Sequence, residues 1–343
     1  MAAVDAARHL TPLEVGVQFH GTWDHYTDAD RGVLLDRLVD MRATWVRLDV
    51  SWAMLQGSPG PIDPDAWGPR LIDRVVSMAH ARGLNVLGTL WLTPAWAVPS
   101  TGERSAPRDA RDYGEAFGWA AERWAGKVQA WEVWNEPNSA DFLAGATPET
   151  YTDLLRAAYE ATRARSGADG VQVVYGGTMH NDVEWIERTY RAGATGHFDV
   201  MATHPYQVPA DTGPLDGDGS HPWQFAHLGA VHDLMQRYRV ESPLWLTELG
   251  WSSHPNTGSE PAWAKGVTEA DQAAHTVAAL TETARRYPFV EKVFFYAARA
   301  EPGTDDHQGG YGIMSTTMQP KPVYHALRDW LSGRPSPTAR VDG

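Results

Sequence analysis

The run VQAWEVWNEPN, residues 128–138, decides how the rest of the chain is read. Its first seven residues are Val- and Trp-rich and strand-like, and the run breaks at Asn135-Glu136-Pro137, where proline has no N–H to continue a ladder. A carboxylate is therefore left where the strand stops. Seven further runs have the same character: EVGVQFH (14–20), ATWVRLDV (43–50), LNVLGTLW (84–91), VQVVYGG (171–177), FDVMATHPY (198–206), PLWLTEL (243–249) and EKVFFYAA (291–298). Between them lie amphipathic helical patterns such as WGPRLIDRVVSMAHARG and TPETYTDLLRAAYEATRARSG, several opened by Thr, Asp or Ser and closed near Gly. Strict strand–helix alternation predicts a parallel sheet, and eight units closing on themselves make an α/β fold of the (β/α)8 TIM-barrel type. A doubly wound open sheet is the alternative, although it normally uses fewer strands in one domain. The barrel is expected as a single domain over 1–331. The Pro-, Ser- and Arg-rich stretch SGRPSPTARVDG, 332–343, is expected to be a flexible tail.

The connections say which end of the barrel works. Those from helix to following strand are short, such as GK before 128. Those leaving strands three, six, seven and eight are long: LTPAWAVPSTGERSAPR, QVPADTGPLDGDGSHPW, WSSHPNTGSEPAWAKGV and RAEPGTDDHQGGYGIMS. Long loops without regular structure are usually functional, and these all fall on the C-terminal face, where barrel enzymes keep their sites.

Composition narrows the chemistry. The 343 residues carry 43 acids against 29 Lys and Arg, a formal charge of −14 that repels phosphate backbones and anionic membrane surfaces. Nucleic acid and membrane are thus not expected as partners. There are no cysteines, which excludes disulfides, thiolate metal sites and a cysteine nucleophile. No basic n-region precedes an apolar stretch, so cytoplasmic residence is the default, with secretion the alternative if a signal peptide has been removed. Sixteen Trp stand beside 12 Tyr and 8 Phe. Indole, flat and apolar with one polar N–H, suits stacking on sugars, although most of these rings are expected to pack the core.

Glu136 ends the fourth strand, and Glu248 ends the seventh in the same way within PLWLTELGW. Two carboxylates facing each other across a barrel mouth are the equipment of glycoside hydrolysis, one protonating the leaving oxygen and the other attacking or activating water. With WNEP on strand four, a terminal Glu on strand seven, WVRLDVSW on strand two and THPY on strand six, the chain resembles the clan A glycoside hydrolases, and most nearly families 39 and 5 and their relatives. It departs from family 5 in TLWLTP on the third strand and FFYAAR on the eighth, so family 39 or a related family fits better.

The resemblance implies a retaining mechanism acting on a carbohydrate substrate without cofactor or metal. Glu136 would be the acid/base and Glu248 the nucleophile. Arg47 would be the cation and Tyr206 the donor beside Glu248, and Asn135 the donor to the sugar 2-OH. Strict alternation sends Asn135 and Glu136 to opposite faces, so a bulge at the strand end is expected. Arg47 could instead neutralise a buried Asp49. His20 and His204 are read as hydrogen-bonded pocket walls, since the histidines lack H-x-H or H-E-x-x-H spacing. Substrate contacts are assigned to Trp91, Trp96, Trp251 and Tyr296, and further to Trp23, Trp52 and Trp134, at or just beyond strand ends. A non-catalytic sugar-binding barrel and a metal-dependent barrel hydrolase are the rival readings.

Overall fold

The computed structural model describes residues 13–98 and 102–333. Apart from Ser332 and Gly333, the expected tail lies outside the described residues. The strands, in chain order, are β1 (Glu14–Gln18), β2 (Trp45–Ser51), β3 (Asn85–Trp91), β4 (Ala130–Val133), β5 (Gln172–Val174), β6 (Thr178–Met179), β7 (Met201–His204), β8 (Leu244–Leu249) and β9 (Val290–Phe295). All eight expected strands are present, and the short β6 is one more. Every pairing is parallel, in the order β5-β4-β3-β2-β1-β9-β8-β7-β6. The ring closes through the parallel bridge Val174↔Val200, with Tyr175 N donating to Val200 O at 2.9 Å and Asp199 N to Val173 O at 2.8 Å.

The main helices alternate with the strands: α1 (Asp28–Asp40), α2 (Trp52–Leu55), α3 (Trp67–His80), α4 (Ala110–Arg123), α5 (Pro148–Arg163), α6 (Val183–Arg191), α7 (Leu228–Arg237), α8 (Glu269–Arg286), α9 (Asp306–Gly310) and α10 (Pro322–Leu331). Their starts follow from local chemistry. Thr27 and Asp30 form a reciprocal capping box on α1, Thr147 caps α5 with Pro148 at its first position, and Thr268 caps α8.

Alternation along the strands grades the barrel interior from apolar to polar. The N-terminal end is plugged by Trp45, Leu87, Ala130, Val174, Ala202, Trp245 and Phe294. Trp45 meets Trp245 edge-on with ring centroids 5.4 Å apart, and Lys292 lies over both rings. Gly16 is required there, because a Cβ would stand 2.4 Å from the Phe294 ring. One inward step further along the strands come Gln18, Arg47, Thr89 and Glu132, joined by Thr247 and His204 and all buried. The C-terminal mouth opens above them.

Candidate active site

The mouth holds a cavity of about 1150 Å³, whose walls include His20, Asp49, Trp91, Asn135, Glu136, Tyr206, Glu248 and Tyr296. That exceeds the usual range of about 300–1,000 Å³ for small-molecule pockets.

Backbone conformation explains how neighbours on β4 reach one space. No bulge interrupts the β3–β4 or β4–β5 register. Instead Trp134 (φ 69°) and Glu136 (φ 44°) adopt left-handed backbone just past the strand, which turns both Asn135 and Glu136 to the cavity. The expected bulge is therefore replaced at this strand end. The register of β8 against β9 shifts instead, between Leu244 and Trp245 and again between Leu246 and Leu249, where Thr247 and Glu248 both reach interior partners.

Arg47 organises the floor of the site. Its Nε donates to Glu132 Oε2 at 2.8 Å, its Nη1 to Gln18 Oε1 at 2.8 Å and to Glu248 Oε1 at 2.6 Å, and its Nη2 to Asn135 Oδ1 at 2.7 Å. The reading that Arg47 chiefly neutralises Asp49 is corrected: its ion pairs are with Glu132 and Glu248, while Asp49 accepts from Gln18 Nε2 at 3.0 Å. Because Asn135 spends its carbonyl oxygen on Arg47, its amide N–H groups remain for a ligand. Glu248 has a donor on each oxygen, Arg47 on Oε1 and the Tyr206 hydroxyl on Oε2 at 3.0 Å. Burial first, and then the charge of Glu248, hold the Tyr206 phenol well above its ordinary range, so it stays a donor.

Removing the centre of this network leaves buried acids unpaired. Arg47→Ala is expected to destabilise the fold by about 3–5 kcal/mol. Urea or guanidinium titration reads the loss, and an unchanged unfolding midpoint would show that the network carries no stability.

Glu136 Oε1 lies 2.8 Å from His204 Nδ1, and one oxygen of each catalytic candidate, Glu136 and Glu248, falls within 4.8 Å of the other. Burial pushes the Glu136 carboxyl up, the hydrogen bond and charge of His204 pull it down, and the charge of Glu248 pushes it up again. The net direction is upward, as a group that must hold a proton requires. Glu136, His204 and Glu248 are close enough together to face a cation. The donor chemistry opposes one: the Arg47 guanidinium already occupies Glu248, and both His204 nitrogens have partners.

Of the expected aromatic contacts, Trp91, Tyr296 and Trp23 line the cavity, with Trp23 stacked on His20 at 4.1 Å. Trp96 and Trp251 do not line it, nor do Trp52 and Trp134. Trp96 Nε1 donates to Gln56 O at 2.8 Å with its ring edge-on to Trp52, and Trp251 Nε1 donates to Thr212 O at 2.8 Å. Trp52 and Trp134 both pack on Tyr113 of α4, in the layer between strands and helices. Position at a strand end did not reveal which way a ring turns. His204 also lies off the cavity wall, beneath Glu136.

Several site residues were not anticipated. Glu132 was legible, since an acid flanked by Trp131 and Val133 in a strand calls for a buried partner. Trp223 and Trp263, half or more exposed on the rim, lie in loops already marked by their length. Glu301, just behind the cavity wall, also lies in one of the long loops, but nothing in that loop pointed to residues 20–26. It accepts from His25 at 2.9 Å, from Tyr26 and from Arg299, and it faces His20 at 3.4 Å. Although burial raises the Glu301 carboxyl, its contacts to His20 and Tyr26 outweigh this and hold it below the ordinary range.

Comparison with known proteins yields no matching family profile and no matching curated sequence. Solved structures of one fold do match. A family 39 glycoside hydrolase from the gut symbiont Bacteroides cellulosilyticus WH2 superposes with a TM-score of 0.73 at 21% identity, over 94% of this chain and 64% of that one. A monomeric β-xylosidase from Caulobacter crescentus CB15 gives 0.67 at 20% identity, over 93% and 67%. GH5_18 from Bifidobacterium longum subsp. longum ATCC 55813 gives 0.68 at 17%, over 94% and 79%. The chain thus spans under two thirds of the length of the first of these. At such identities the likeness establishes the fold, the (β/α)8 barrel shared by family 39 and family 5 glycoside hydrolases.

Proposed function

We propose that the protein is a retaining glycoside hydrolase that cleaves O-glycosidic bonds of a glycoside, oligosaccharide or polysaccharide by double displacement. The observation that carries this reading is the close approach of Glu136 and Glu248 in one cavity, with Glu248 held by two donors and Glu136 beside a buried imidazole. Retaining enzymes place their two carboxyl groups about 5–5.5 Å apart, too close for an intervening water, so one must attack carbon. The family 39 and family 5 character of the structural neighbours agrees with it.

In the first step a Glu248 oxygen attacks the anomeric carbon while the glycosidic C–O bond breaks, and the leaving oxygen takes the Glu136 proton. Asn135 holds the 2-OH, a contact that strengthens as positive charge develops on the ring. In the second step water attacks the same carbon, Glu136 accepts its proton, and the bond to Glu248 breaks. The cavity is large enough for a sugar together with a substantial leaving group. A sugar-binding barrel without catalysis would need the aromatic walls but not the arrangement of Arg47, Glu248, Tyr206, Asn135 and Glu136.

Hydrolysis of a panel of aryl glycosides and polysaccharides, each with and without EDTA, tests the proposal. Chelator-insensitive release of sugar is expected. No release from any member would contradict hydrolysis, and loss with EDTA would favour a metal-dependent enzyme. Tyr206→Phe is expected to lower kcat by about 10-fold or more with little change in stability, because only one hydroxyl leaves a charge-assisted bond. An unchanged rate would place that hydroxyl away from the reaction.

A further inference from the structure

Beneath the two catalytic carboxylates runs a chain of hydrogen bonds whose directions can be assigned. Glu132 accepts four: from Arg47 Nε and Thr89 Oγ1 on Oε2, each at 2.8 Å, and from Gly177 N at 3.0 Å and Thr247 Oγ1 at 2.7 Å on Oε1. Burial raises this carboxyl, but the Arg47 charge and the hydrogen bonds from Thr247 and Thr89 work against it, and it lies below the ordinary range. An ionised Glu132 can only accept, so the Thr247 hydroxyl hydrogen is committed to it. Thr247 Oγ1 also lies 3.0 Å from His204 Nε2, and with its hydrogen spent it can only accept there. Nε2 therefore carries the imidazole hydrogen, and in the neutral ring Nδ1 is bare. The 2.8 Å contact from Nδ1 to Glu136 Oε1 then needs a hydrogen on Glu136. Both side chains are buried, which disfavours separated charges on the pair, although the charges of Glu248 and Glu136 hold His204 above its ordinary range; with Nε2 fixed as a donor, the hydrogen between Nδ1 and Glu136 Oε1 is the one in play. Gly177 makes the seat possible: a Cβ there would lie 2.3 Å from Nε2 and 2.5 Å from Thr247 Oγ1.

We propose that Thr247 and Glu132 are positioning residues that fix the His204 tautomer with its hydrogen on Nε2 and so keep the catalytic hydrogen on Glu136. The inference rests on Glu136 being the acid/base. Turning about its C–O bond swings that hydrogen from Nδ1 to the glycosidic oxygen, which takes it in the first step. A water hydrogen replaces it in the second, and Glu132, Thr247 and His204 exchange none. The charged and titratable groups facing the pair are Arg47 from β2, Glu132 from β4, His180 after β6, Tyr206 after β7, Glu248 from β8, and Tyr296 and Tyr311 after β9.

Thr247→Val keeps the side-chain shape and removes the hydroxyl. His204 can then place its hydrogen on Nδ1 and donate to an ionised Glu136. The alkaline limb of kcat/KM is expected to move down by about one pH unit or more. Substrates with alkyl or sugar leaving groups should slow by about 10²-fold, while 2,4-dinitrophenyl glycosides, which need no protonation, change little. Thr247→Ser should restore both. Histidine ¹⁵N NMR reads the tautomer without substrate: Nε2–H at His204 in the wild type, shifting toward Nδ1–H in Thr247→Val. A wild-type Nδ1–H tautomer, or an imidazolium with both nitrogens protonated, would overturn the proposal whether or not Thr247→Val folds, as would an unmoved alkaline limb or equal slowing of both substrate classes. A wild type with the Nε2–H tautomer but no activity on any glycoside would leave the relay standing and sink the glycosidase reading instead.

Discussion

Glu248→Ala is expected to lower kcat/KM by roughly five orders of magnitude while the protein stays folded. The loss is large because double displacement assigns the bond to carbon to Glu248, the carboxylate held by Arg47 and Tyr206. Folding should survive because Arg47, the buried cation beneath it, keeps Glu132 at 2.8 Å as its ionic partner. On the double-displacement reading the emptied space would face the anomeric carbon, so azide should enter it and attack. Activity should partly return on an activated aryl glycoside, with a glycosyl azide of inverted configuration as product. Near-wild-type hydrolysis by Glu248→Ala, with circular dichroism confirming the fold, would remove it from the mechanism.

Glu136→Ala is expected to divide substrates by leaving group. Those that require protonation should lose about 10²–10⁴-fold in kcat/KM, whereas dinitrophenyl glycosides should retain most of theirs, because departure of that group needs no acid. Their kcat should still fall, since the second step loses its base. The pH profile carries an independent sign. Burial, with the charge of Glu248 adding to it, raises the Glu136 carboxyl, and as the proposed acid Glu136 acts in its protonated form. Activity is therefore present below this raised value and lost as pH rises through it, at higher pH than an ordinary carboxylate would give. In Glu136→Ala that alkaline limb should vanish. A variant that slows all substrates equally, or keeps the limb, would point to another acid.

The barrel was legible because buried parallel strands read as short apolar runs between amphipathic helices, and every such run proved to be a strand. Glu136 and Glu248 were legible as cavity residues because both end strands on the face that carries the long loops. What escaped was governed by local backbone geometry and long-range pairing. The positive φ at Trp134 and Glu136, which replaces the expected bulge, belongs to residues with no intrinsic preference for it. Trp96 and Trp251 sit at strand ends as Trp91 does, but their N–H groups find backbone carbonyls of neighbouring loops and draw the rings out of the cavity. The Glu301 cluster joins residues 20, 25 and 26 to residue 301, a pairing that only the β1–β9 contact brings together.

The stereochemistry of the first product tests the central claim most directly. Once a substrate is found in the glycoside panel, proton NMR can follow the anomeric signal in the first minutes, before mutarotation mixes the anomers. With oxygens of Glu136 and Glu248 within 4.8 Å of each other, the account requires a covalent intermediate and a first product of the same anomeric configuration as the substrate. A first product of inverted configuration would mean that water attacks directly across a gap of about 6.5–9.5 Å, that Glu248 acts as a general base, and that the double-displacement account is wrong.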